Sequence, residues 1–94
     1  MSKLFNVSTS HGIALVKIKT EIWVGDYKFI LHKSYGYEKP ARTWAVTEYN
    51  TGLRIVTGKT QKLAIQAGIS IAQQRYEQLH DAVASRPKIN GETV

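Results

Sequence analysis

The sequence predicts an α+β domain: an antiparallel sheet of about four strands, made as two hairpins, with one long C-terminal helix packed on one face. Three observations carry this. Apolar and polar residues alternate from Ala14 to Val24 and again from Tyr27 to Lys33. A β-branched and aromatic block over residues 43–49 precedes a glycine turn and a second short block over residues 53–57. From about residue 61, apolar side chains recur at spacings of three and four.

Each element has a local reason. Residues 1–11 show no clear period and read as a flexible N-terminal arm. Residues 12–84 form the single ββββα domain. In the first hairpin the even positions Ala14, Val16, Ile18, Thr20, Ile22 and Val24 make one face. Leu15, Lys17, Lys19, Glu21 and Trp23 make the other, mostly polar one. Gly25-Asp26 is a two-residue turn with glycine at its first central position. It sets Val24 opposite Tyr27, Ile22 opposite Phe29 and Thr20 opposite Leu31 on one side. On the other side it sets Trp23 opposite Lys28, Glu21 opposite Ile30 and Lys19 opposite His32.

Residues 34–42 read as a loop because Gly36 and Pro40 interrupt any strand. Asn50-Thr51-Gly52 is a three-residue turn whose glycine suits a left-handed backbone. That turn sets Glu48 opposite Arg54 and Val46 opposite Val56. Thr60 is the N-cap of the helix, its hydroxyl accepting an N–H of the first turn. The stripe Ile65, Gly68, Ile69, Ala72, Tyr76, Leu79 and Val83 predicts one helix over about residues 61–84, ~36 Å long. Gly68 within it points to close approach of helix and sheet. Pro87 stops the helix, and residues 85–94 read as a flexible tail.

At 94 residues the chain holds one modest core. With 43% hydrophobic and 21% charged residues it is an ordinary globular composition, which excludes collagen, coiled coil and wholesale disorder. Thirteen Lys and Arg against seven Asp and Glu give a net charge of +6, which favours an acidic partner. With no cysteine there is no disulfide framework, thiolate metal site or cysteine nucleophile. No signal peptide is visible, and no stretch approaches the roughly 20 apolar residues that span a bilayer. A cytoplasmic protein is expected, in the host cell's cytoplasm if the chain is phage-encoded.

Little in the sequence points to catalysis. Gly58-Lys59-Thr60 before a helix resembles the end of a phosphate-binding loop, but the glycine that motif needs is Leu53. His11, His32 and His80 lack metal-ligand spacing and read as surface or interface histidines. Asp26 reads as a turn residue, Glu48 as a strand partner, and Glu77 with Asp81 as a solvated helix face. The expectation is a non-enzymatic protein with no metal and no cofactor.

The candidate binding set is basic and aromatic together: Lys17, Lys19, Trp23, Lys28, His32, Lys33, Tyr35, Tyr37, Lys39 and Arg42. Cations neutralise phosphates or acidic protein faces, and aromatics stack on bases or fill pockets. On the predicted fold, Lys17, Lys19, Trp23, Lys28 and His32 share the sheet face opposite the helix, open to solvent or a partner.

The run Trp44-Ala45-Val46-Thr47-Glu48-Tyr49-Asn50-Thr51-Gly52-Leu53-Arg54-Ile55, followed by Gly58-Lys59-Thr60 and Ala64-Ile65, resembles short phage and prophage reading frames of unassigned function. In those a stretch like Phe29-Ile30-Leu31-His32-Lys33 precedes it, so the likeness covers about half the chain. It departs at Leu63, where such frames carry Glu to complete a capping box. The same strand–turn–strand–helix order looks like the DNA-binding modules of phage-type integrases. The resemblance implies a small accessory protein that binds a host protein or complex, including inhibition of defence or nucleic-acid-processing machinery of the anti-CRISPR or anti-restriction type. The alternative is a direct DNA- or RNA-binding module that uses the basic aromatic sheet face. No membrane partner is expected, and either a monomer or a homodimer fits.

Overall fold

A computed structural model describes residues 3–9, 12–34 and 43–90. The α+β expectation holds, with two sheets and two helices in place of one of each. Six strands are described: β1 (Leu4–Thr9), β2 (Gly12–Lys17), β3 (Thr20–Val24), β4 (Tyr27–Lys33), β5 (Trp44–Glu48) and β6 (Arg54–Gly58). Helices α1 (Gln61–Gln74) and α2 (Tyr76–Ala84) follow. Strands β3-β4-β5-β6 form an antiparallel meander, and β1 pairs with β2 in a separate antiparallel ribbon.

The first hairpin of the meander has the register expected of its turn: Val24 pairs with Tyr27, Ile22 with Phe29 and Thr20 with Leu31. Gly25 takes φ +58° at that turn, where an L side chain is disfavoured. The ladder ends at Thr20, so Lys19 has no strand partner in His32; its N–H donates to the Leu31 carbonyl at 2.8 Å. In the second hairpin Val46 pairs with Val56 as expected. A bulge between Val46 and Thr47 then sets Thr47, not Glu48, opposite Arg54. Glu48 turns inward and is fully buried.

Three sequence expectations change. The alternation from Ala14 to Val24 is not one strand but breaks at Ile18-Lys19, between two sheets. Alternation survives the break because both pieces keep the same parity, which does not reveal which sheet each piece joins. Residues 4–9, read as part of an arm, supply β1. The single helix is interrupted at Arg75, whose backbone (φ −119°, ψ 36°) leaves the helical region. Its N–H still donates to Ile71 and its carbonyl still accepts from Leu79, so the apolar stripe continues through the break. Thr60 caps α1 as expected, accepting the Leu63 N–H at 3.1 Å.

The meander is covered on both faces. Against the helices, Val24, Phe29, Leu31 and Val46 pack on Ala64, Ala72, Leu79 and Val83. On the reverse face, Ile30 packs with Phe5 and Val7 of β1, joined by Ala14, Val16, Ile18 and Tyr49. Burying a side chain the size of Phe5 or Ile30 stabilises by about 2–3 kcal/mol, so the ribbon is a structural layer. This overturns the expectation of an open second sheet face. The C-terminal segment, read as tail, also takes part through residue 90. Ile89 donates its N–H to the Asn50 carbonyl at 2.8 Å. The Asn90 side chain donates to Asn6 O at 2.8 Å and accepts the Asn6 N–H at 2.7 Å.

Candidate interaction surface

The ribbon disperses the expected basic-aromatic set. His32 is 2% exposed. Its Nδ1 donates to the Lys33 carbonyl and its Nε2 accepts from the Thr47 hydroxyl, each at 2.7 Å. The Phe5 ring meets it edge-on at 5.4 Å between centroids. Burial lowers its pKa from the ordinary histidine value; the Lys33 carbonyl opposes this and Arg54 adds to it. His32 is therefore a core residue and not the surface histidine the sequence suggests. It is buried because β1 lies over it, which alternation within β4 does not disclose.

Lys28 is half-buried, its ammonium 4.0 Å from the centre of the Tyr49 ring and 3.9 Å from a Glu21 oxygen. Trp23, its cross-strand neighbour, is 63% exposed. Lys33 is exposed, 5.3 Å from the centre of the Trp44 ring. Lys17 and Lys19 are exposed at the end of β2 and just beyond it. Among the described residues of the set, Trp23 and Lys28 alone are thus brought together as exposed or half-buried neighbours on the reverse face of the meander. Tyr35, Tyr37, Lys39 and Arg42 lie outside the described residues.

What the sequence reading passed over is the outer side of the ribbon. The register pairs Leu4 with Lys17, Asn6 with Leu15 and Ser8 with Ile13, and these residues point away from the core. Leu4, Ile13 and Leu15 are 51%, 62% and 59% exposed. Three large aliphatics on one short ribbon form an apolar patch, with Lys17, the pairing partner of Leu4, on the same side. A usable signal is Leu15 on the mostly polar side of the first alternation, with Ile13 two residues before it.

A second feature is a groove lined by Asp26, Tyr27, Tyr76, Glu77, His80 and Asp81. The Tyr27 hydroxyl meets His80 Nδ1, and the Asp26 N–H donates to the Tyr76 hydroxyl at 3.2 Å. Partial burial, then neighbouring Tyr76, raises the Tyr27 phenol above its usual pKa. These contacts tie the β3–β4 turn to α2. Among the described residues no group of three His, Asp or Glu side chains is placed to hold a metal. No helix among them is long and apolar enough to cross a membrane.

Comparison with known proteins finds no matching family model, no matching curated protein and no matching solved structure.

Proposed function

We propose that the protein acts by binding another protein through the outer face of the β1–β2 ribbon. The observation that carries this is the exposure of Leu4, Ile13 and Leu15 together on one face. Monomeric proteins rarely leave such a patch without use. Lys17 shares that face, and the chain is +6 overall, so the complementary partner surface is apolar with an acidic rim. Together with the sequence likeness to phage reading frames, the partner is read as a host protein or nucleoprotein complex, and the effect as stoichiometric inhibition of defence or nucleic-acid-processing machinery.

The test is retention of host proteins on the immobilised full chain after nuclease treatment, beside the Leu4→Glu variant. Leu4 lies on the patch, pairs with Lys17 and is half exposed, so Glu there leaves the ribbon intact. Expected is one stoichiometric partner, weakened by added salt, with at least about tenfold loss for Leu4→Glu. Equal retention by both proteins refutes the reading. Binding of random DNA or RNA with a steep salt dependence, unchanged by Leu4→Glu, selects direct nucleic-acid binding in its place.

A further inference from the structure

The two edges of the ribbon differ. Ile18 donates its N–H to the Lys3 carbonyl at 2.8 Å, which marks Lys3 and Ile18 as a hydrogen-bonded pair. Alternation then turns the N–H and C=O groups of Gly12, Ala14 and Val16 towards β1. Those of Ile13, Leu15 and Lys17 turn outward. On β1 the same rule turns Leu4, Asn6 and Ser8 outward, and that edge is occupied at Asn6 and Ser8. Ser8 donates its N–H to Gly52 O at 3.0 Å, and the Asn90 side chain takes both Asn6 backbone groups. On β2, no described residue bonds the outward groups of Ile13, Leu15 or Lys17. Exposed aliphatic side chains flank this open edge, with Lys17 the sole charge in β2 to discourage pairing.

We propose that β2 pairs antiparallel with β2 of a second copy of this chain, about a twofold axis at Leu15. Alternating outward donors and acceptors along a whole edge are matched in full by another strand. The open residues lie symmetrically about Leu15. In this register Leu15 pairs with its own copy and Ile13 with Lys17, so every open group on both edges is satisfied at once. The lysine on the edge itself, Lys17, does not oppose the contact locally. The two Lys17 side chains stand about 14 Å apart along the strands, beyond a screening length of about 8 Å at physiological salt. Pairing joins the two ribbons into one four-stranded sheet, and the aliphatic patches of Leu4, Ile13 and Leu15 become continuous. The dimer therefore presents the proposed docking face twice over, although self-association itself does not depend on that reading.

Sedimentation equilibrium of the full chain from about 1 µM to about 1 mM tests this, with Leu15→Ala and Leu15→Pro as a matched pair. Both remove the Leu side chain. Only Pro also removes the outward N–H, and it leaves pairing with β1 intact because that N–H does not face β1. A concentration-dependent dimer is expected, weakened no more than about tenfold by Leu15→Ala and at least about 30-fold by Leu15→Pro. The dimer tightens with added salt as the repulsion between two basic copies is screened. Amide exchange in the unmodified chain needs no variant: the Ile13, Leu15 and Lys17 amides gain protection as concentration rises. A monomer throughout the range, a Leu15→Pro dimer as tight as Leu15→Ala, or exchange at these amides independent of concentration overturns the proposal. Leu4→Glu leaves the open edge untouched, so loss of partner binding and loss of the dimer are separately observable.

Discussion

At Gly68 α1 lies close against Val46 of the sheet, and adding one methyl group there tests the packing directly. A Cβ on Gly68 would stand 2.9 Å from Val46 Cγ1 and 3.1 Å from Val46 Cβ and Cγ2. Val46 cannot yield easily: it is 1% exposed, β-branched and held in an inner strand. Gly68→Ala thus forces Val46 off its rotamer or lifts α1, at about 1–3 kcal/mol. The gain in helix propensity returns about 1 kcal/mol. The single variant is therefore neutral to about 2 kcal/mol less stable, which alone decides little. Pairing it with Val46→Ala does decide. Val46→Ala leaves a cavity where the new methyl group would sit, so the double variant should be at least about 1 kcal/mol more stable than the sum of the singles. Propensity cancels in this cycle because it enters both arms alike. Urea unfolding followed by far-ultraviolet circular dichroism supplies the four stabilities. Additivity within about 0.5 kcal/mol would show that the two groups do not compete for one space, and the layer geometry argued above would fail.

Three further outcomes follow from buried or half-buried polar groups. His32 is neutral in the fold and its pKa lies below the unfolded value of about 6.5, so its contribution is intact above that pH and declines as the pH falls towards the folded value. The urea midpoint should drop from pH 7 to pH 5, and the drop should shrink in His32→Gln; an equal drop in both proteins would contradict the assignment. Glu48 Oε1 accepts from the Thr51 N–H at 2.9 Å and hydroxyl at 2.7 Å, and Oε2 accepts from the Asn50 N–H at 3.0 Å. Glu48→Gln sets an amide NH2 against one of these donors and should cost about 1–3 kcal/mol in urea unfolding, an unchanged midpoint counting against the turn-clamp role. Asn90→Ala removes the side chain that occupies the β1 edge at Asn6, so amide exchange at Asn6 should accelerate at least about tenfold while α1 amides keep their rates.

Much of the meander was legible because its signals are local. The Gly25-Asp26 turn sets the β3–β4 register within a few residues, and that register appears pair for pair from Thr20 to Val24. Thr60 announces the start of α1 by a bond to Leu63, three residues away. Gly68 was readable as a close approach because a glycine inside an amphipathic helix is otherwise unfavourable. The candidate site was less legible. Lys17 and Lys19 are exposed as expected and Trp23 adjoins Lys28, whereas His32 is enclosed by Phe5, a contact spanning 27 positions.

Periodicity and turn chemistry alone determined the α+β class, the two meander hairpins, the helix start and the apolar stripe, since each depends on neighbours within a turn or a strand pair. Tertiary structure decided where the N-terminal ribbon sits, and with it whether the second sheet face is open. Alternation with period two reports that a strand has two unlike faces; it is silent on what covers each. The inward turn of Glu48 at the bulge and the bonding of Asn90 to the β1 edge at Asn6 belong to the same class. They arise from packing between distant segments, and that packing left the outward backbone groups of Ile13, Leu15 and Lys17 bonded by no described residue.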